Sequence, residues 1–449
     1  MIGHLGFLYK RLSEKLWIRP LLFSALAVLA AFAATLTDSL GFQDLLPRIN
    51  DDIVEKLLSI IAASMLGVAT FAVGSMVAAY ASASSSATPR AFSLVISDDM
   101  SKTALSTFIA AFIFSIIALV AIKSGIYGRA GVFLVFLMTL AVIAWVVVTF
   151  IRWVDQIARL GRVGTTIDRV EKAATSAIEH RRRFPTLSAA PLDGDAEGID
   201  AGEPVYSGGI GYVQHINVGA LQACAAKQDF IVTVAALPGT FISPGRALAF
   251  VKPDGGTTEA DIDLAAIERA FFVSHDRTYE EDPRFGLVAL SEIAARALSP
   301  AVNDPGTAID IIGTFIRLFA LWVAPLDDDE KVAAEAKYDR VRVPALELRE
   351  MFDDAFTAIA RDGAGTLEVV IRLQKAFISL STISHEELNR AARRHSRLSL
   401  ARAELALKLP YELDRIRALA SRVGGAFEPT CAESVRANPR RSRRWRGSR

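Results

Sequence analysis

The stretch AGVFLVFLMTLAVIAWVVVTFI, residues 130–151, decides the fold, because its 22 positions contain no charged residue and no histidine. A helix needs about 20 apolar residues to cross the hydrocarbon core of a bilayer. Three earlier stretches, residues 20–37, 57–83 and 103–122, have the same character. Four such stretches so close together do not fit the buried helices of a soluble protein. The sequence therefore predicts a four-helix transmembrane domain over residues 20–154.

The composition of the whole chain fits a membrane part joined to a larger water-soluble part. The chain has 449 residues, of which 52% are hydrophobic, and 50 basic residues balance 49 acidic ones. The net charge therefore indicates no particular partner. The two cysteines, Cys224 and Cys431, exclude a disulfide-stapled fold and a four-cysteine zinc site.

Charged residues beside the four stretches predict the orientation, because basic residues favour the cytoplasmic side of a membrane. Basic residues precede the first stretch and follow the fourth: Lys10, Arg11, Lys15, Arg19, Arg152, Arg159, Arg162 and Arg169. Acidic residues dominate between the first and second: Asp38, Asp44, Asp51, Asp52 and Glu55. Lys123 and Arg129, between the third and fourth, oppose this assignment. The balance predicts a multi-pass protein of the bacterial inner membrane with both termini in the cytoplasm.

The N-terminus allows a second interpretation, in which a signal peptide is removed. The tripeptide Ala31-Phe32-Ala33 resembles a small-residue cleavage site. Against this, the leader before the first apolar stretch is long and contains Glu14 and Trp17. We therefore interpret residues 1–19 as a cytoplasmic amphipathic segment at the membrane surface.

Small residues recur at helical spacing along the second apolar stretch: Ala63, Gly67, Thr70, Gly74 and Ala78. Such a face lets helix backbones approach closely within a bilayer. It suits packing inside the four-helix bundle, a contact between copies of the chain, or the lining of a pore. We expect a homo-oligomer with Gly67 and Gly74 at the contact. The four stretches carry no ionisable residue, which argues against a proton relay or a voltage sensor inside the bilayer.

After the fourth stretch the sequence predicts a cytoplasmic α+β region. A linker over residues 155–204 combines an amphipathic helix, 155–183, with an acidic loop. A small β-module follows, in which Asn217 is placed to cap a helix. Its strands are predicted at residues 211–216, 230–234 and 248–251, and its helix at residues 218–228.

Two helix starts within residues 205–325 share one pattern. Asp282 precedes Pro283, and Asp304 precedes Pro305. A capping acid followed by a proline in the first turn is typical of a helix N-terminus. Ser299-Pro300 interrupts the chain between the two helices, so the sequence predicts a tight helical hairpin.

These motifs resemble a known family. The resemblance is carried by Thr88-Pro89-Arg90, by Asp282-Pro283-Arg284-Phe285-Gly286 and by Ile293-Ala294-Ala295-Arg296-Ala297-Leu298-Ser299-Pro300-Ala301-Val302-Asn303-Asp304-Pro305. They are similar to the bacterial family of predicted membrane proteins named domain of unknown function 2254. The resemblance implies an integral membrane protein with a cytoplasmic domain. It implies no activity, substrate or catalytic residue.

Polar residues concentrate around the hairpin and form the candidate ligand site. They are Arg277, Glu281, Asp282, Arg284, Glu292, Arg296, Asn303 and Asp304. A salt-bridged structural hairpin is the alternative, in which Glu292 and Arg296 pair along one helix. Replacing Asp282 or Asp304 with asparagine is then expected to be mild, because asparagine also caps helices.

The motifs of common enzymes are absent from the sequence. It has no GxxxxGK phosphate loop, no GxSxG nucleophile elbow and no histidine spacing for zinc. We therefore predict no catalytic residue, no metal and no cofactor. The less favoured alternative is an enzyme with its site near His275 and Glu281.

The remainder predicts a helical bundle over residues 326–434 and a basic tail. A charged connector, 327–339, leads to amphipathic helices at residues 345–361, 366–383 and 386–423. The tail, 435–449, carries seven arginines and no acid. Arg440, Arg441, Arg443 and Arg444 suit anionic lipid headgroups, and no specific nucleic acid is expected.

The sequence thus predicts a membrane protein whose partners are the bilayer and other copies of itself. A channel-like or sensory module with a regulatory cytoplasmic domain is the favoured function. A membrane scaffold or interaction protein is the alternative.

Overall fold

The computed structural model describes residues 18–36, 47, 49–86, 88–96, 99–159, 162–192, 202–254 and 262–423. The predicted amphipathic N-terminus up to residue 17, most of the acidic loop and the basic tail with Arg440, Arg441, Arg443 and Arg444 lie outside these residues. The chain divides into two compact units, Met1–Arg169 and Val170–Arg449. We call them the N-terminal and the C-terminal unit.

The N-terminal unit is a bundle of helices, and each predicted apolar stretch corresponds to one long helix. The helices are α1 (Ile18–Leu36), α2 (Asp51–Ser86), the short α3 (Pro89–Ile96), α4 (Asp99–Lys123) and α5 (Arg129–Arg159). At a rise of about 1.5 Å per residue, α2 and α5 are longer than the hydrocarbon core of a bilayer is thick.

Helix α4 occupies the centre of this bundle and packs against α1, α2 and α5. Its Phe108 lies edge-on to Trp153 of α5, with the ring centroids 6.3 Å apart. Between α4 and α5, the Tyr127 hydroxyl donates a hydrogen bond of 2.8 Å to the Ala31 carbonyl of α1. Apolar side chains cover the exterior, including Leu22, Leu26, Ile60, Phe71 and Trp145. An exterior of this kind is suited to lipid.

The predicted linker helix over residues 155–183 is two helices. Residues 155–159 continue α5, and a separate helix, α6 (Val163–Arg183), follows.

The β-module of the C-terminal unit contains two sheets. Their strands are β1 (Ala189–Pro191), β2 (Glu203–Val205), β3 (Gly211–Ile216), β4 (Phe230–Val234), β5 (Phe241–Ile242), β6 (Ala249–Pro253), β7 (Phe271–Ser274) and β8 (Tyr338–Val343). One sheet has the order β1-β8-β4-β6-β2, and the other has the order β5-β3-β7. The predicted strands β3 and β4 are confirmed, and β6 begins one residue later than predicted.

Strand β8 corrects the prediction of a purely helical region after residue 326. It pairs in parallel with both β1 and β4, so it lies inside the larger sheet. Its Val341 and Val343 are buried, and they alternate with the charged Arg340 and Arg342. This alternation is the period-two pattern of a strand, and the flanking charges obscured it in the sequence.

Helices complete the C-terminal unit and form its second layer. They are α7 (Val218–Gln228), α8 (Leu264–Glu268), α9 (Pro283–Ala297), α10 (Pro305–Trp322), α11 (Asp328–Ala334), α12 (Leu348–Asp362), α13 (Leu367–Ser381), α14 (Glu386–Ala406) and α15 (Pro410–Ala420). The predicted hairpin, α9–α10, is confirmed, as is the cap of Asn217 on α7. The predicted helix over 386–423 is wrong as one element, because Pro410 has no amide hydrogen to continue α14 and instead begins α15.

Among the residues that the structure describes, the helices that meet length and composition criteria for crossing a membrane are α2, α4, α5 and α10. Helix α1 is apolar but shorter, over Ile18–Ala34. Helix α10, in contrast, packs within its own unit. Its buried Phe319 ring packs at a tilt against Phe352 of α12, with centroids 4.3 Å apart, and its Arg317 pairs with Glu171 of α6 at 2.6 Å. These contacts make α10 a core helix of the C-terminal unit, in agreement with the predicted hairpin.

Candidate functional site

The first turn of α9 is organised by Asp282. Its carboxylate accepts hydrogen bonds from the backbone amides of Arg284 (3.1 Å) and Phe285 (3.2 Å). Pro283 occupies the first helical position. Asp282 is therefore the helix cap that the sequence predicts, but its side chain is buried, with only 4% exposed.

Arg277 neutralises this buried carboxylate. Its Nε lies 2.5 Å from Oδ2 of Asp282, and its Nη2 lies 3.2 Å from Oδ1. The guanidinium also stacks over the Phe285 ring at 5.2 Å. Burial raises the pKa of Asp282, and the charge and hydrogen bonds of Arg277 oppose that rise. Because the guanidinium contacts both carboxylate oxygens, the carboxylate is held in one orientation.

Gly239 closes the other side of Asp282. Its φ of +92° lies in the left-handed region, and a β-carbon placed on it would be 2.1 Å from Oδ2 of Asp282. The turn at Pro238-Gly239 therefore requires glycine both for its backbone conformation and for its approach to the carboxylate.

Glu281 connects α9 to the smaller sheet. One of its carboxylate oxygens lies 2.6 Å from Nδ1 of His215 on β3. The hydrogen bond to Glu281 raises the pKa of His215, and partial burial opposes the rise. Protonation of His215 therefore strengthens the connection between the sheet and the hairpin.

Arg181, near the end of α6, is a fully buried arginine behind this turn. Its Nη2 donates to the Glu281 carbonyl at 3.1 Å. Its Nε and Nη1 have no hydrogen-bond partner among the described residues. Burial lowers the pKa of Arg181 to about 10, while the charges of Glu281 and Asp282 raise it. The nearby acids thus compensate a cation that would otherwise be costly to bury.

Arg284 extends the network to the helical bundle. Its Nε lies 2.6 Å from a carboxylate oxygen of Asp354 on α12, and its Nη1 pairs with Glu350 one turn earlier. We call the whole set the α9 charge network. It consists of Arg181, His215, Arg277, Glu281, Asp282, Arg284, Glu350 and Asp354.

The structure separates the eight predicted site residues into two groups, so they do not form one site. Arg277, Glu281, Asp282 and Arg284 lie at the N-terminal end of α9. Arg296 lies in the last turn of α9, Asn303 and Asp304 follow the helix, and Glu292 lies within its second half. A helix of this length is about 20 Å long at a rise of ~1.5 Å per residue. Asp282 and Asp304 are near each other in sequence, but they lie at opposite ends of α9.

The second group is exposed and forms the cap of α10. Asp304 accepts a backbone hydrogen bond from Thr307 at 3.2 Å and a hydroxyl hydrogen bond from the same residue at 2.6 Å. These hydrogen bonds lower the pKa of Asp304. Asn303 adopts a left-handed φ of 50°. The predicted cap of Asp304 is confirmed, and its environment differs from that of Asp282.

The remaining predicted features are local. His275 and Asp276 are exposed, and the Asp276 carbonyl accepts a hydrogen bond from Gln214. In the part of the chain that the structure describes, no group of three or more histidine, cysteine or acidic side chains is placed to hold a metal ion. The α9 charge network is therefore best described as a junction that joins α6, β3, α9 and α12 by opposite charges.

Sequence reasoning missed Arg181, and a signal for it exists. Val170, Ala174, Ala177 and Ile178 form the buried face of α6, and Arg181 continues that face at helical spacing. His215, Gly239, Glu350 and Asp354 gave no comparable signal, because they join the network through contacts distant in sequence.

The small residues of α2 form a second feature of interest, which we call the α2 stripe. Ala63, Gly67, Thr70, Gly74 and Ala78 are all exposed on the single chain. Nothing lies within 4 Å of a β-carbon built on Gly67 or Gly74. The buried face of α2 lies on the opposite side of the helix and includes Ala62, Ala69, Ala72 and Met76. Among the residues that the structure describes, the stripe therefore faces away from the packed side of α2.

Together, an apolar helical bundle with a lipid-like exterior and a separate α+β unit define an integral membrane protein with a large extramembrane part. The chain belongs to the family described as "Predicted membrane protein (DUF2254)", which matches residues 13–379. The resemblance predicted from the hairpin motifs is thus confirmed.

Two mycobacterial proteins, each described as an uncharacterized protein, are similar to part of this chain. One from Mycobacterium bovis and one from Mycobacterium tuberculosis are each 31% identical over 112 residues, which is 24% of this chain and 21% of the relative. The match thus spans about a fifth of the length of these relatives. No solved structure matches this chain.

Proposed function

We propose that the chain forms a homo-oligomer in the bacterial inner membrane and works as a channel-like or sensory module. In this proposal both termini and the C-terminal unit lie in the cytoplasm, and the C-terminal unit regulates the membrane part. The α2 stripe is the observation that carries the proposal. It is a close-packing surface to which no other element packs among the residues that the structure describes.

The chemistry of the stripe supports contact with another membrane helix. Small side chains permit backbone approach where lipid supplies no hydrophobic driving force. The Thr70 hydroxyl donates to the Leu66 carbonyl of its own helix at 2.9 Å. It therefore brings no unpaired donor into the bilayer, while its oxygen stays available to a neighbouring helix or to a hydrated ion.

The α9 charge network supports a regulatory role for the C-terminal unit. It joins α6, β3, α9 and α12 of that unit by opposite charges. The contact between His215 and Glu281 depends on the protonation of His215. A network of this kind responds to changes in charge. The predicted ligand pocket at Arg277, Glu281, Asp282 and Arg284 stays a prediction, and the ionic partners of these residues favour a structural junction.

Ion flux into liposomes tests the proposal directly. The purified full-length chain should pass ions when reconstituted, and Gly67→Leu should reduce that flux. Val73→Phe is the matched control, because Val73 is an exposed residue of α2 outside the stripe. An oligomer that passes no ion under any applied voltage would instead support the scaffold alternative.

Orientation needs its own measurement. Reporter fusions after Gly161 should behave as cytoplasmic, and fusions near Asn50 as periplasmic. A periplasmic signal after Gly161 would contradict the cytoplasmic placement of the C-terminal unit.

A further inference from the structure

A basic cleft lies in the C-terminal unit between α14 and the end of α15. Its volume is about 650 Å³, which falls within the range of roughly 300–1,000 Å³ typical of small-molecule sites. Its α14 wall carries Glu386, Asn389, Arg390, Arg393 and Arg397, and Ser421 lies on the opposite wall. We call it the α14 cleft. It does not include the α9 charge network or the α2 stripe.

The arginines of the α14 cleft form one stripe. Arg390, Arg393 and Arg397 are spaced three and four residues apart, so they lie on the same face of α14. Arg390 pairs with Glu386 at 2.7 Å. Arg393 and Arg397 are exposed and have no ion pair within the described residues. Two guanidinium groups therefore face the cleft without a neutralising acid.

Asn389 adds a second, independent observation. Its Oδ1 atom is buried at the cleft and has no hydrogen-bond partner among the described residues. Buried amide oxygens in proteins are nearly always hydrogen-bonded. When the Asn389 amide turns towards the cleft, a bound molecule that supplies a hydroxyl or amino donor would satisfy this oxygen.

We propose that the α14 cleft binds a phosphorylated small molecule, with its phosphate on Arg393 and Arg397 and a hydroxyl or amino group donating to Asn389. The planar guanidinium group matches phosphate oxygens with two parallel hydrogen bonds. Two such groups on adjacent turns suit one phosphate or two linked phosphates. The volume accommodates a molecule the size of a nucleotide.

The same chemistry, a phosphate beside hydroxyl groups, has two sources. One is a soluble metabolite such as a nucleotide or a sugar phosphate. The other is the headgroup of a lipid such as phosphatidylglycerol. ATP without magnesium and dihexanoyl phosphatidylglycerol, which is soluble as a monomer, serve as probes for the two sources.

Calorimetric titration of the full-length chain in detergent tests the proposal. We expect saturable binding of at least one probe, weakened by added salt, and no binding of adenosine, which lacks phosphate. The double variant Arg393→Gln/Arg397→Gln should weaken binding at least tenfold, and Asn389→Leu should weaken it less. The probe that binds more tightly identifies the source of the phosphate.

Arg349→Gln is the matched control, because Arg349 is an exposed arginine of α12 outside the cleft. It should leave binding unchanged. Hydrogen exchange across α14 should be the same in the double variant and the wild type, which excludes unfolding as the cause of a loss. Absence of binding by both probes, or equal binding by the wild type and the double variant, would overturn the proposal. Because the cleft and the α2 stripe share no residue, these results do not depend on ion flux.

Discussion

Gly239 and Asp282 occupy adjoining space so closely that neither position tolerates a change of shape. A β-carbon on Gly239 would lie 2.1 Å from Oδ2 of Asp282 and 2.8 Å from Oδ1. The same carboxylate caps α9 and pairs with Arg277. A loop of the β-module and the start of the helical hairpin are thus fixed to each other at one buried carboxylate.

Replacing Gly239 with alanine is expected to destabilise the C-terminal unit by more than backbone strain alone. Gly245 is a suitable control, because its φ of +85° is similar but a β-carbon there meets nothing within 4 Å. Gly245→Ala should cost about 1 kcal/mol, the usual penalty for leaving the conformational freedom of glycine. Gly239→Ala should cost at least twice as much, measured by chemical unfolding. Equal costs would show that the carboxylate moves away freely.

Replacing Asp282 with asparagine separates the cap from the charge. Asparagine still accepts the amides of Arg284 and Phe285, but it leaves the Arg277 guanidinium without its buried counter-ion. Loss of one partner of a buried ion pair typically costs about 3–5 kcal/mol. We expect a loss of about 2–4 kcal/mol here, because the hydrogen bonds are partly kept.

Asp304→Asn is the control for this change, since Asp304 is an exposed cap without an arginine partner of this kind. It should cost less than about 0.5 kcal/mol. The sequence predicted a mild effect at both positions, because the two helix starts look alike. Burial of Asp282 is what distinguishes them, so equal unfolding midpoints for the two variants would argue against the importance of the ion pair.

Local patterns predicted the elements well, and long-range contacts account for most of the misses. The helix caps Asn217, Asp282 and Asp304 could all be predicted from the sequence, since a cap depends on residues within one turn. Strand β8 was not, because its partners on β1 and β4 are more than 100 residues away along the chain. The candidate site is affected in the same way. Neighbours in sequence were grouped into one cluster, although a helix holds them at opposite ends.

His215 and Glu281 should make stability depend on pH in a defined direction. The pKa of His215 is raised in the folded chain by its hydrogen bond to Glu281. The folded state therefore binds the proton more tightly than the unfolded state. The stabilisation is complete below the ordinary histidine pKa of about 6.5 and is lost as the pH rises through the folded value.

Glu281→Gln tests this linkage. Relative to this variant, the wild type should be more stable at mildly acidic pH, and the difference should shrink as the pH rises above neutrality. Thermal unfolding across that range provides the measurement. A difference that does not change with pH would show that His215 gains no proton affinity from Glu281.

His395 should make stability depend on pH in the direction opposite to that of His215. It is buried among Phe352, Phe356 and Phe377, and burial lowers its pKa to about 4, with Asp353 opposing the shift. The unfolded chain therefore binds a proton between about pH 6.5 and the folded value, and stability falls as the pH decreases through that window. This pKa shift corresponds to a loss of about 3 kcal/mol in the free energy of unfolding at acidic pH, since one pKa unit is worth about 1.4 kcal/mol.

His395→Gln should remove this acid sensitivity, at the cost of lower stability at neutral pH. Comparing unfolding midpoints of the wild type and the variant from neutral to mildly acidic pH checks the prediction. Parallel curves for the two proteins would mean that His395 does not contribute to acid destabilisation.

The α2 stripe predicts how the chain associates in a membrane. Gly67 and Gly74 are exposed, and a β-carbon added to either meets nothing within 4 Å among the described residues. A leucine at either position should keep the bundle folded, because the stripe faces away from its core. It should, however, separate two helices that approach through the stripe, since close backbone contact requires small residues.

Gly67→Leu and Gly74→Leu should therefore shift the detergent-solubilised protein from oligomer towards monomer, measured by light scattering coupled to a sizing column. Val73→Phe adds bulk on the same helix, at an exposed position away from the stripe, and should leave the mass unchanged. An equal loss of mass in Val73→Phe would indicate a contact broader than the stripe. An unchanged oligomer in both glycine variants would place the contact on another helix, because a leucine cannot be accommodated where two backbones touch.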